Sequence, residues 1–112
     1  MKAIPFRVVD GVRINCAPDE ATHIEIKRPG PAGLIALPVT PPTGWTWNKS
    51  VDAPTIQPSI LTTGTHYQGG DPTDKANWPD IRCHTYITGG KVQFLSDCSH
   101  ELRGQTLDLL DV

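Results

Sequence analysis

Cys83-His84-Thr85-Tyr86-Ile87-Thr88-Gly89-Gly90-Lys91-Val92-Gln93-Phe94-Leu95-Ser96-Asp97-Cys98-Ser99-His100 is the stretch whose reading decides the fold. Gly89-Gly90 offers the positive φ angles of a two-residue hairpin turn, and the flanking residues suit paired β-strands. With that turn, Thr88 faces Lys91, Cys83 lies across from Ser96, and Cys98 is the diagonal neighbour of Cys83. Side chains alternate along a strand, so Cys83 and Cys98 share one face, and His100 joins them if the strand persists. His84 points the other way, together with Leu95 and Asp97. A one-residue bulge would exchange the faces and bring His84 in instead.

Thiolate and imidazole groups at both open ends of one hairpin are what a Zn²⁺ ion requires. Diagonal neighbours stand roughly 7–8 Å apart at Cα, too far for an unstrained disulfide but compatible with a shared metal. The candidate ligand set is Cys83, Cys98 and His100, with His66 on the preceding loop to complete the shell. Three ligands and a water would make a catalytic type of site, and four a closed structural one. The plainer reading is packing, since a buried free cysteine behaves as a small hydrophobe and no CxxC…CxxC ribbon is present. Cys98 and His100 as nucleophile and base would lack a third orienting group. Asp71, Asp74 and Asp80 are loop acids suited to solubility, and no GxGxxG or GKS/T phosphate cradle occurs.

Outward from the hairpin, the chain of 112 residues contains eleven prolines and ten glycines. Interior proline removes a helical donor and clashes with the preceding turn, so long helices cannot survive this punctuation, whereas short strands can. The expected fold is all-β or β-dominated: a small antiparallel β-sandwich or partly open barrel, forming a single domain over residues 1–112. Residues 6–9 and 12–14 flank Asp10-Gly11 and predict a first hairpin. Residues 22–27 alternate strictly, with Ile24 and Ile26 inward. Residues 33–39 are more continuously apolar and predict a strand buried on both faces. Pro54 and Pro58 suit an edge or bulged segment over 53–61.

Trp45 and Trp47 share one strand face; they read as a core lid or, with Trp78, as a binding platform for a base, sugar or partner. Residues 62–80 read as a long loop, the natural contact surface. Ser99 and Gly104 frame one short helical turn near the C-terminus, and residues 106–110 form the closing strand.

Charge is nearly balanced at −2, with Lys and Arg scattered, which argues against a broad nucleic-acid surface. Three cysteines leave one thiol over in any disulfide framework. The first ten residues hold no long apolar run, so neither a signal peptide nor a membrane span is expected, and the expected location is cytoplasmic.

Four segments carry a resemblance: Gly44-Trp45-Thr46-Trp47-Asn48, then Pro54-Thr55-Ile56-Gln57-Pro58-Ser59-Ile60-Leu61, then Cys83-His84-Thr85-Tyr86-Ile87 through Leu95, then Asp97-Cys98-Ser99-His100 to Thr106. In order and spacing the chain resembles a family of short phage and prophage proteins, at times labelled "ammonia monooxygenase" without support. Such proteins typically carry a Cys-Pro-Gly-Cys knuckle before the Leu-Pro-Val strand, where this chain reads Arg28-Pro29-Gly30-Pro31. The resemblance implies that Cys83, Cys98 and His100 are the remainder of a larger ligand set. It also implies a phage-type accessory protein acting by protein–protein contact, an inhibitor of a host defence machine rather than an enzyme. The alternatives are a Zn-type hydrolase using Cys83, Cys98, His100 and His66, or a small virion component.

Overall fold

The computed structural model describes residues 1–30, 33–40, 44–65 and 69–112. Its strands are β1 (Ala3–Val9), β2 (Val12–Asn15), β3 (His23–Lys27), β4 (Leu34–Pro38), β5 (Thr46–Trp47), β6 (Ile56–Thr65), β7 (Asp80–Thr88), β8 (Lys91–Phe94) and β9 (Thr106–Asp108). They form two antiparallel sheets, ordered β2-β1-β3-β4 and β5-β6-β7-β8-β9. Neither sheet closes into a barrel, and the β-dominated expectation holds.

Both glycine-containing turns do what their sequences require. Asp10 and Gly11 take φ values of 51° and 77°, and Val9 pairs with Val12 across them. Gly89 and Gly90 take 58° and 80°, and Thr88 pairs with Lys91 as the spacing predicts. The alternation of β3 is kept: Ile24 and Ile26 are fully buried, and Lys27 is exposed.

One core joins the sheets. Ala3, Ile24, Ile26 and Leu37 of the first sheet meet Ile56, Ile60, Cys83, Ile87, Val92 and Phe94 of the second. Burying each larger side chain contributes about 1.5–3 kcal/mol, which offsets the ordering of the strands. Phe94 is 1% exposed within this cluster, and its ring meets the His100 ring edge-on at 5.1 Å. Phe94→Ala is expected to cost about 3–5 kcal/mol, read as a lower urea midpoint at unchanged slope. A loss below about 1 kcal/mol would place the core elsewhere.

Several expectations are corrected. The apolar strand β4 is an edge strand, with Leu34 59% exposed, because among the described residues it pairs only with β3. Of the two alternatives for the proline-bearing segment, the bulged one holds and the edge one does not: it lies between β5 and β7 and accommodates Pro58 through a register shift between Ile56 and Ile60. Residues 62–65 and 80 belong to strands, which shortens the long loop. Among its described residues the one regular piece is the 3₁₀ turn Lys75–Asn77, capped by the Asp74 carboxylate on Ala76 N–H at 3.0 Å. Near the C-terminus, residues 99–104 make hydrogen-bonded turns and no helix, because the Ser99 side chain is engaged by β7 instead of capping. Pro31 and His66 lie outside the described residues.

Candidate catalytic triad

The register shift in β6 contains Ser59. Ser59 shares a face with Leu61, the residue paired with His84, and its Oγ lies 2.8 Å from His84 Nε2. The indole N–H of Trp45 donates to the Ser59 carbonyl at 3.3 Å and fixes the backbone from the side. His84 sits on β7, and its side chain is 24% exposed on the outer face of the five-stranded sheet.

The third member comes from the end of the hairpin. Continued register would put Asp97 across from Arg82, and Leu95 N–H still reaches the His84 carbonyl at 2.9 Å. Then a turn intervenes. Cys98 N–H donates to the Leu95 carbonyl at 3.1 Å, and Ser99 N–H takes the Arg82 carbonyl at 2.8 Å. The turn leaves Asp97 Oδ2 at 3.1 Å from His84 Nδ1. Arg82 donates to the same oxygen through Nε at 3.2 Å and Nη2 at 3.1 Å.

Protonation follows from these partners. Burial works to raise the Asp97 carboxyl, but hydrogen bonds from His84 and Arg82 outweigh it and hold the group below the usual carboxylate range. An ionised carboxylate only accepts, so His84 Nδ1 carries a proton toward it. In the neutral ring Nε2 is then a lone-pair acceptor facing the Ser59 hydroxyl. A hydroxyl, a base and a group that orients the base are the three parts of an activated nucleophile.

The surroundings are open. Leu61 lies directly across from His84 and is 50% exposed, and Tyr86 is 44% exposed with its ring 6.5 Å from the His84 ring. A hollow of about 440 Å³, lined by Thr46, Ile56, Gln57, Pro58, Tyr86 and Thr88, flanks the serine. A second, of about 380 Å³, includes Thr63, Arg82 and Ser99 toward the other end of the β6–β7 pair. A larger hollow of about 610 Å³ at Trp78 includes no member of the triad in its wall.

Behind this face, in the core, lies the cysteine cluster. Cys83 is the residue before His84, and Cys98 the residue after Asp97. The ligand atoms of Cys83, Cys98 and His100 all lie within 4.8 Å of one another, close enough to hold a metal ion. His100 Nε2 is 3.3 Å from Cys83 Sγ, and Cys98 Sγ accepts from His84 N–H at 3.2 Å. The hairpin strand does not persist to His100; the turn of residues 95–98 achieves the convergence instead. Burial pushes the Cys83 thiol up to about 11, with Cys98 adding to the rise and Arg28 opposing it. Burial, then Arg28, lowers the His100 imidazole.

The Cys83 shift has a consequence for stability. The folded chain keeps its thiol proton to about 11, whereas the unfolded chain releases it near 9.0, so stability is full below the lower value. It is expected to fall as pH rises through that window, and Cys83→Ser to flatten the decline, as thermal unfolding over a pH series will reveal. An equal alkaline decline in both chains would contradict the assignment.

The tryptophans separate. Trp47 is 8% exposed and part of the core, Trp45 packs against it, and Trp78 is 37% exposed with its N–H on the Pro72 carbonyl at 2.9 Å. Together Trp45, Trp47 and Trp78 form no common platform, because Trp47 is inside. Ser59 is the member of the Ser59–His84–Asp97 arrangement that the sequence reading did not single out. The only forward signals were His84 and Asp97 on one predicted face and a serine after a strand proline.

Fold and site define a small two-sheet β protein bearing a Ser–His–Asp constellation on an open sheet face. The family described as bacterial ubiquitination-like system serine protease (BubE) matches residues 12–95, and the chain belongs to that family. The match includes Ser59 and His84, and Asp97 lies just past it. No curated protein and no solved structure gives a significant match. Family membership overturns the expected phage-type inhibitor of host defence and the virion component, since the family is described by a bacterial ubiquitination-like system. The hydrolase alternative agrees in class, with serine named in place of zinc. Among the described residues, no helix is long and apolar enough to cross a membrane.

Proposed function

We propose that this chain is a serine hydrolase that cleaves acyl bonds formed by the C-terminal segment of a ubiquitin-like protein. The observation that carries the reading is the unbroken relay from Asp97 Oδ2 through His84 to Ser59 Oγ. Ser59 Oγ attacks the carbonyl carbon while His84 Nε2 takes its proton; the new bond is the Ser59 ester. His84 returns the proton to the leaving amine or alcohol as the old C–N or C–O bond breaks. Water, deprotonated by the same nitrogen, then hydrolyses the ester. Asp97 stays ionised throughout and stabilises the imidazolium.

The open face supports a macromolecular substrate presenting an extended segment. The hollows toward the two ends of the β6–β7 pair, the first walled in part by Tyr86 and with Leu61 on the strand between them, offer a track that passes Ser59. The partner in this reading is therefore a protein. A fluorophosphonate probe on the folded chain is expected to leave one adduct, at Ser59, by peptide mass spectrometry. No adduct there, together with no cleavage of a ubiquitin-like fusion, would sink the proposal.

A further inference from the structure

Cys83, Cys98 and His100 stand close enough to share an ion, yet the fourth side of the cluster is occupied by protein. Arg28, at the end of β3, is 1% exposed. Its Nη2 donates to Thr62 Oγ1 at 3.1 Å. Thr62 pairs directly with Cys83 across β6 and β7, and residues paired in this way project from the same face. The guanidinium is thereby placed beside the Cys83 thiol. It interacts electrostatically with both Cys83 and Cys98, and with His100.

The loop geometry fixes this arrangement. Arg28 N–H donates to the Gly33 carbonyl at 2.9 Å, which holds the turn that carries the side chain. Gly30, at φ 80°, abuts Leu102 so closely that a Cβ would lie 2.7 Å from Leu102 Cδ1. Leu102 N–H in turn donates to His100 Nδ1 at 3.3 Å. The turn bearing Arg28 and the loop bearing His100 are seated on each other.

We propose that the Arg28 guanidinium holds the cation position of the Cys83–Cys98–His100 cluster, so that an organic cation built into the chain stands where a divalent metal would. A fixed positive charge at this range repels a second cation in a poorly solvated interior. The sulfur and imidazole lone pairs are satisfied within the protein: His100 Nε2 faces Cys83 Sγ, and Cys98 Sγ bonds the His84 backbone. The expected zinc is therefore displaced by a residue of this chain. The proposal is independent of the hydrolase reading and holds or fails without it.

Cobalt(II) titration of the full chain under reducing conditions tests it. The unmodified protein is expected to show no thiolate-to-cobalt absorption at one equivalent, and far less than one zinc per chain after expression with added zinc. Arg28→Cys is expected to take up one cobalt per chain with that absorption. Arg28→Met, which removes the charge and adds no ligand, is expected to bind cobalt at least about tenfold more tightly than the unmodified chain. Stoichiometric cobalt on the unmodified protein overturns the proposal, as does equal cobalt affinity of the unmodified chain and a folded Arg28→Met.

Discussion

Ser59→Ala is expected to lower cleavage of a ubiquitin-like fusion by roughly 10⁴-fold or more, with the fold intact. The size follows from the way a triad works: without the nucleophile, the base and its orienting acid have nothing to activate. The fold survives because the Ser59 hydroxyl has His84 as its side-chain partner on an accessible face, and the core residues Ile56 and Ile60 on either side are unchanged. Removing such a partly exposed hydrogen bond costs at most about 1 kcal/mol. Initial rates and a thermal melt on the same preparation decide the matter. A folded variant that keeps a tenth of the rate would exclude Ser59 as the nucleophile.

Asp97→Asn is expected to reduce turnover by roughly 10³- to 10⁴-fold with little change in KM. The asparagine amide is nearly isosteric but can donate to Nδ1. That stabilises the tautomer with its proton on Nε2, which cannot then accept the serine proton. Arg82 makes the test sharper, because its Nε and Nη2 bind the same Asp97 oxygen as His84 does. If Asp97 served only to pin Arg82, the asparagine carbonyl would still accept from the guanidinium and turnover would change by less than tenfold. Separate measurement of kcat and KM distinguishes the two roles.

The parts of the fold set by local rules were legible in the sequence. Gly89-Gly90 dictates its own turn, and the register of Thr85 through Thr88 against Lys91 through Phe94 follows from it. The alternation of Ile24 and Ile26 likewise dictates which side of β3 is buried. What failed depends on neighbours far away in sequence. The apolar run at β4 reads as doubly buried, but whether another strand covers its edge is a matter of topology, and none does among the described residues.

For the candidate site, the pairing rule already separated His84 and Asp97 from the cysteines, which is two of the three members of the constellation. Ser59 stayed hidden because its strand lies well before β7 and no G-x-S-x-G elbow marks it. Ser59 shares a face with Leu61, which pairs directly with His84, but that cross-strand pairing is not written in either strand's local sequence. The cysteine cluster was visible for a reason that proved incomplete. Cys98 arrives beside Cys83 through the turn at residues 95–98, and the same turn delivers Asp97 to the opposite face.

That last arrangement ties the two faces of the second sheet together along the chain. His84 and Asp97 look out, Cys83 and Cys98 look in, and each pair is joined through a single peptide plane. A substitution at either sulfur therefore acts one residue away from His84 or Asp97. In the proposed hydrolase, Cys83→Ala and Cys98→Ala are expected to lower the cleavage rate more than their effect on the thermal midpoint would suggest.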